Sequence, residues 1–114
     1  MARQTMQAIQ IHSYGGPEQL KLEEKPRPEP QVGEVLLRVH AAGVNQLDWR
    51  IRQGLMQDFQ PVTFPYTPGL EMAGVVEDVG PAVTAFKRGQ AVLGQTSAGA
   101  YAEYLTIPVE ALAL

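Results

Sequence analysis

The sequence contains no cysteine, and this absence excludes several kinds of site. Disulfide bridges, cysteine-ligated zinc, iron–sulfur clusters and thiol nucleophiles all require that side chain. Histidine is scarce as well, because His12 and His40 are the only two and neither has a second ligand at helical or turn spacing. A catalytic zinc ion needs three protein ligands. The sequence therefore predicts no metal site and two histidines at the surface or at strand edges.

Clustered positive charge and long apolar runs are also lacking. The 9 lysines and arginines are scattered among 12 acidic residues, which gives a net charge of −3. Nucleic-acid binding depends on clustered Lys and Arg, so no nucleic-acid partner is expected. No apolar run approaches the roughly 20 residues of a transmembrane helix, and the first residues lack the apolar core of a secretory signal. We expect no membrane contact and a cytoplasmic location.

What the sequence does have is glycine and proline, 11 and 9 residues respectively, clustered between short apolar runs. This spacing is typical of many short strands and few helices. It predicts strands near residues 6–12, 20–24, 34–42, 70–79, 90–94 and 100–107. The segment 25–34 carries three prolines and is predicted to be an extended connector. A short helix is predicted within 42–54, with Asn45 as N-cap and Gly54 as C-terminal stop.

The predicted elements fit a single domain with one core, because the chain has 114 residues. The fold class expected is mainly β, a small, partly open barrel with one or two short helices.

Polar residues with chemical capacity gather at the start of the predicted helix. A helix N-terminus presents free N–H groups and a partial positive charge, so it can bind an anion or a polar ligand. Arg50 adds a fixed cation with a planar donor fork. Residue chemistry alone favours a structural interpretation: Asn45 and Asp48 cap the helix, Trp49 packs and Arg50 is solvated.

Three motifs point to a known family. The segments AAGVNQLDWRIRQG, PYTPGLEMAGVVEDVG and GAYAEYLTIP, in this order, resemble the N-terminal domain of the medium-chain dehydrogenase/reductase superfamily. The opening MQAIQIHSYGGPEQLKLEEKPRPEP fits the same pattern, closest to the zinc-independent NADPH:quinone oxidoreductases and zeta-crystallin relatives. The resemblance implies that residues 1–114 form a GroES-like catalytic domain that a Rossmann domain follows. It also implies hydride transfer from NADPH to a quinone or a conjugated carbonyl compound (enone).

The resemblance bears on zinc as well. Zinc-dependent cousins carry Cys where this chain has Asn45, and Gly-His-Glu where it has Gly69-Leu70-Glu71. Leu70 and an Asn amide are not adequate substitutes for those ligands, so the resemblance implies a zinc-free site. We expect the Glu71 carboxylate to accept main-chain N–H groups, or to pair with a basic group, and so to brace the loop around Asn45.

Site residues follow from the same resemblance. Asn45, with Gln46 beside it, is expected to contact the cofactor near the nicotinamide ribose. Asp48 is expected to hold the helix start, and Arg50 to polarise a substrate carbonyl or hold an enolate. The catalytic set is thus Asn45, Asp48 and Arg50. The substrate pocket is expected to include Trp49, Tyr66, Leu70 and Gln95.

The sequence contains no G-x-G-x-x-G motif for a dinucleotide pyrophosphate. NADPH is therefore expected to be bound mainly by a second domain that this chain lacks, and the isolated chain is expected to be inactive. The alternative is a free-standing GroES-like binding or interaction module. A homodimer through the exposed inter-domain surface suits either interpretation. A chaperonin-type role is a weaker third, because a shared fold does not carry function.

Overall fold

Antiparallel strands dominate the computed structural model, which describes residues 4–114. The strands are β1 (Thr5–Gln10), β2 (Lys21–Pro26), β3 (Glu34–Ala42), β4 (Glu71–Val79), β5 (Ala91–Gln95), β6 (Tyr104–Pro108) and β7 (Leu112–Ala113). One α-helix, α1 (Gln46–Gln53), joins β3 to β4, and single 3-10 turns lie at Pro17–Gln19 and Val109–Ala111. The predicted fold class is confirmed: the chain is mainly β, with a half-barrel of sheet and one helix.

Two sheets make up this architecture. Strands β1 and β2 form an antiparallel pair, and the other five follow the order β6-β3-β4-β5-β7. The sheets are joined where β1 meets the segment before β6: Ile9 N–H donates to the Tyr101 carbonyl at 2.8 Å, and Glu103 N–H donates to the Gln7 carbonyl at 3.0 Å. These bonds close part of the barrel wall, because they satisfy an edge of β1 that would otherwise be unpaired.

The larger core is built on the five-stranded sheet. Its buried side chains are apolar and come mainly from β3, β4, β5 and β6: Val35, Leu37, Met72, Val76, Val92, Ala100, Leu105 and Ile107. Burying a side chain such as Leu37 or Ile107, both 0% exposed, stabilises the fold by about 1.5–3 kcal/mol each.

A smaller core cluster positions the helix. Ile51 of α1 packs with Ile11 and Tyr66, and all three are buried. Ile11 and Tyr66 also exchange main-chain hydrogen bonds at 2.9 and 3.0 Å. The helix is therefore anchored to both β1 and the segment that leads into β4.

The predicted strand positions agree with the structure to within one or two residues for most elements. Three differences stand out. Strand β6 begins at Tyr104 rather than at residue 100, because the preceding main chain bonds to another loop: Gly99 N–H and Tyr101 N–H each donate at 2.9 Å, to the carbonyls of Thr67 and Pro68. Strand β2 extends to Pro26, into the predicted connector. The turn at 109–111 and strand β7 were not predicted.

The proline-rich connector after β2 is fastened to the barrel by Arg27. The guanidinium carbon of Arg27 lies 3.8 Å from the centroid of the Tyr104 ring. The main-chain N–H of Arg27 donates to the Gln4 carbonyl at 2.9 Å. At the other end of the connector, Gln31 N–H donates to Glu34 Oε1 at 2.9 Å. No helix within residues 4–114 has both the length and the apolarity needed to cross a bilayer.

Candidate active site

The start of α1 is fixed by reciprocal contacts between Asn45 and Asp48. The N–H of Asn45, the N-cap residue, donates to Asp48 Oδ2 at 2.7 Å, and the N–H of Asp48 donates to the Asn45 carbonyl at 3.0 Å. The helix ends at Gly54, whose φ of 85° is a left-handed conformation that glycine adopts readily. The predicted N-cap and C-terminal stop are confirmed.

Asp48 lies behind the loop that carries Asn45. It is only 6% exposed, and the Tyr101 hydroxyl lies 3.1 Å from its Oδ2 and 3.2 Å from the Gly43 carbonyl oxygen. Burial raises the pKa of Tyr101 to about 12, and the nearby Asp48 carboxylate adds to the shift because it opposes a second negative charge. Asp48 therefore holds the start of the helix, as expected from its position. Its catalytic role stays a prediction.

A cleft of about 350 Å³ opens beside this helix start. Three of the predicted site residues, Asn45, Leu70 and Gln95, line it together. The pairing of β4 with β5 explains part of the arrangement, because Glu71 is the register partner of Gln95. The N–H of Thr96 also donates to the Leu70 carbonyl at 2.8 Å. The remaining lining residues were not predicted as pocket residues: Leu47, Gln60, Glu71, Thr96 and Ser97.

Two of the predicted pocket residues lie elsewhere. Tyr66 is only 8% exposed, belongs to the core cluster under α1 and does not line this cleft, so its place in a substrate pocket stays a prediction. Its side chain turns inward because its main chain pairs with Ile11. Trp49 lines a different cavity, because successive residues of a helix point in different directions.

Arg50 and Gln46 are exposed on α1 and do not line the cleft within residues 4–114. The Arg50 guanidinium carbon lies 5.5 Å from the centroid of the Trp49 ring, and its Nη2 makes a long 3.5 Å contact with Gln46 Oε1. Their catalytic and cofactor-binding roles remain predictions.

Glu71 supports the neighbouring loop in a different way from the one predicted. Its main-chain carbonyl accepts the Gly43 N–H at 3.1 Å, and its side chain lies so close to Gly43 that a Cβ there would be 2.7 Å from Glu71 Cγ. Within residues 4–114 its carboxylate has no hydrogen-bond donor and no basic partner. The predicted side-chain brace is therefore wrong: no donor reaches the half-exposed carboxylate, and the main chain makes the link.

A larger open groove of about 880 Å³ adjoins the cleft and shares Glu71 and Gln95 with it. It runs past the end of β3 and the start of β4 to the segment 110–113. The cleft and the groove are therefore continuous with each other, and both polar and apolar residues line them.

Comparison with known proteins identifies the family. The profile of the "Alcohol dehydrogenase GroES-like domain" matches residues 31–114. The chain belongs to this domain family. It is 46% identical to the pig (Sus scrofa) quinone oxidoreductase over 101 residues, which are 87% of this chain and 30% of the pig protein.

Solved structures agree with that assignment. The human synaptic vesicle membrane protein VAT-1 homolog-like protein matches 96% of the chain and 35% of its own length, with a TM-score of 0.92 and 36% identity. The Escherichia coli quinone oxidoreductase in complex with NADPH matches 97% of the chain and 33% of its own length, with a TM-score of 0.87 and 34% identity. The predicted resemblance is confirmed, and the GroES-like domain spans about a third of the length of these relatives.

The donor set of this GroES-like domain does not suit zinc. Among residues 4–114 no three His, Asp or Glu side chains converge. His12 Nε2 lies 2.7 Å from Glu23 Oε1, and His40 lines a separate pocket with Arg38 and Glu103. Glu71 is the one carboxylate that lines the cleft, and a single oxygen ligand cannot hold a catalytic zinc ion.

Proposed function

We propose that residues 1–114 form the substrate-side catalytic domain of a zinc-independent, NAD(P)H-dependent oxidoreductase that acts on quinones or enones. The observation that carries this proposal is the convergence of Asn45, Leu70 and Gln95 on one cleft in a GroES-like domain. The similarity to quinone oxidoreductases supports it over a free-standing binding module.

The cleft offers both kinds of contact that such a substrate needs. Leu47 and Leu70 supply apolar wall for a carbon ring or chain, while Asn45 and Gln95 supply amide groups for a carbonyl oxygen. The NH₂ group of the exposed Asn45 side chain makes no hydrogen bond within residues 4–114, so it is available to a ligand.

We assign the cofactor mainly to a second domain, since this chain has no dinucleotide-binding motif. The nicotinamide supplies the hydride when it is bound. To Asn45 and Gln46, at the start of α1, we assign the contact with the nicotinamide ribose. NADPH is favoured because a quinone oxidoreductase among the structural relatives was solved with it.

Arg50 is assigned the electrostatic part of the reaction. Hydride addition to a conjugated carbonyl places negative charge on the carbonyl oxygen, and a guanidinium with free N–H groups stabilises that charge. Arg50 is exposed on α1, the helix that Asn45 caps, and we propose that a substrate held between two domains reaches it. Asp48 acts indirectly, since it holds the N–H of Asn45 and does not line the cleft.

The donor set of the cleft supports the proposal of a zinc-free reaction. Leu70 has no donor atom, and the two histidines lie outside the cleft lining. The redox chemistry needs no Lewis acid if Arg50 and the amides stabilise the oxyanion. A cytoplasmic location and homodimerisation through the exposed inter-domain surface are further proposals, and light scattering of the purified chain tests the second.

A chimera tests the proposal directly. The matching N-terminal third of the pig quinone oxidoreductase is replaced by this chain, and NADPH oxidation is followed with quinones and with enones. We expect turnover by the chimera and none by the isolated chain. A folded chimera that binds NADPH but reduces neither substrate would contradict the proposed function, and robust turnover by the isolated chain would contradict the assignment of the cofactor to a second domain.

Variants of the chimera test the site. Asn45→Ala is expected to lower kcat/KM by about 10- to 100-fold, the order of loss that follows from misplaced reactants. Lys87→Ala, an exposed residue outside the cleft lining, is the control and should leave kcat/KM unchanged.

A further inference from the structure

A second cavity, of about 200 Å³, lies beside the start of α1 and shares only Asn45 with the cleft. Most of its wall is apolar and comes from five side chains: Leu20, Val44, Trp49, Pro68 and Tyr101. It is smaller than the roughly 300–1,000 Å³ of pockets that hold drug-sized ligands. A molecule built on a single aromatic ring suits this volume.

Asp48 borders this cavity, and one of its two carboxylate oxygens lacks a hydrogen-bond donor. Its Oδ2 is close to two donors, the Asn45 N–H at 2.7 Å and the Tyr101 hydroxyl at 3.1 Å. Its Oδ1 is buried and has no partner within residues 4–114. The residue as a whole is 6% exposed. A buried acceptor without a donor is costly, so a donor that arrives from the cavity is bound favourably.

The neighbouring cation does not satisfy this oxygen. Arg52 follows Asp48 by four positions and borders the same cavity, an arrangement in which Asp and Arg often pair. Its Nε instead donates to the Gly15 carbonyl at 3.1 Å. The cavity is thus bordered by an apolar wall, by Arg52 and by Asp48, and Asp48 keeps one oxygen without a donor.

We propose that this cavity is a binding site for a small neutral phenol. The aromatic ring packs against Trp49 and Tyr101, and the hydroxyl donates to Asp48 Oδ1. Because Oδ1 is closed to solvent, we propose that side chains of the cavity wall move outward when the phenol binds. Val44 is 83% exposed and Trp49 is 38% exposed, so both have room to do so.

The proposed site should distinguish a phenol from other small aromatic molecules. An aryl ether of the same shape has no donor for Asp48, and an aryl carboxylate brings a second negative charge next to it. The site also reaches the cleft, because Asp48 Oδ2 holds the N–H of Asn45. A bound phenol is therefore expected to change the environment of Asn45 without entering the cleft.

Nuclear magnetic resonance of the ¹⁵N-labelled chain tests the proposal. Trp49 is the only tryptophan, so its indole N–H gives a single signal at the cavity. We expect phenol to shift this signal and the Asn45 amide signal saturably. Phenol should bind about tenfold tighter than anisole, the factor expected for a hydrogen bond to a charged group. Benzoate should bind more weakly than phenol.

Two matched variants locate the binding. Val44→Phe fills the cavity from its exposed rim and is expected to weaken phenol binding about tenfold or more. Val32→Phe makes the same change at a residue that is 73% exposed and outside the cavity, and should bind phenol like the parent chain. The proposal is overturned by equal affinities for phenol and anisole, by tighter binding of benzoate, by unchanged binding in Val44→Phe, or by no saturable shift of the indole signal.

Discussion

The hydroxyl of Tyr101 lies 3.1 Å from Oδ2 of Asp48, a residue 53 positions earlier in the chain. The same carboxylate oxygen accepts the N–H of Asn45, and the same hydroxyl lies 3.2 Å from the Gly43 carbonyl. Tyr101 therefore fastens the segment before α1 to the segment before β6, and the cleft residue Asn45 is held between the two.

Removing this hydroxyl tests its contribution. Tyr101→Phe leaves Asp48 with one donor fewer, so the free energy of unfolding should fall by about 1–3 kcal/mol. Urea denaturation followed by circular dichroism measures the change. Tyr104→Phe is the matched control, because the Tyr104 ring stacks with Arg27 and that stacking does not need the hydroxyl. Equal effects of the two substitutions would contradict the role given to Tyr101.

Alkaline pH should weaken the fold through the same residue. An unfolded tyrosine ionises near pH 10, whereas burial and Asp48 raise the pKa of folded Tyr101 to about 12. The folded state holds the proton more tightly, so stability is complete below about pH 10 and falls towards about pH 12. Urea midpoints measured across this range should decline less in Tyr101→Phe. A residual decline is expected, because burial also raises the pKa of Tyr66. Parallel curves for parent and variant would refute the prediction.

Gly43 is expected to tolerate no side chain while Glu71 keeps its position. A Cβ at residue 43 would overlap Glu71 Oε1 and lie 2.7 Å from its Cγ. Gly43→Ala should therefore lower the free energy of unfolding by about 1–3 kcal/mol, as overpacking does. In a Glu71→Ala background the same substitution should cost much less. A double-mutant cycle measures this difference, and an additive result would show that the two residues do not compete for space.

The charge of Glu71 itself should matter little for stability. Its carboxylate has no partner within residues 4–114, and its link to Gly43 runs through the main chain. Glu71→Gln keeps the shape and the main-chain bond, so the free energy of unfolding should change by less than about 0.5 kcal/mol. Thermal denaturation of the two chains side by side measures it. A larger loss would mean that the carboxylate finds a donor in solution.

Much of the fold could be predicted from the sequence because turn residues mark the ends of its strands. Strand β3 occupies the predicted range 34–42, and the helix cap at Asn45 follows from a short local signal. Strand β7 was missed because two residues carry no readable pattern. The start of β6 was misplaced because the main chain at 99–101 bonds to 67–69, a long-range choice that local residues do not reveal.

The candidate site was less predictable, since it depends on side-chain direction across distant segments. Motif position indicated Asn45, Leu70 and Gln95, which the structure brings together. Tyr66 does not join them, because its main chain pairs with Ile11 and its ring lies in the core. Tyr101 belongs to the motif GAYAEY, but no residue near it in sequence indicates that its hydroxyl reaches Asp48. Gln60 also lines the cleft, but it belongs to none of the motifs and no sequence pattern predicts its position there.

The way the proline-rich connector is tied down has a practical consequence. Arg27 stacks on Tyr104 at one end and Gln31 bonds to Glu34 at the other, while Glu29 between them is exposed. Strain from extra residues placed after Glu29 would stop at these two anchors instead of spreading into the sheet. The barrel thus has a natural position for an epitope or a fluorescent label, on a segment that borders neither the cleft nor the second cavity.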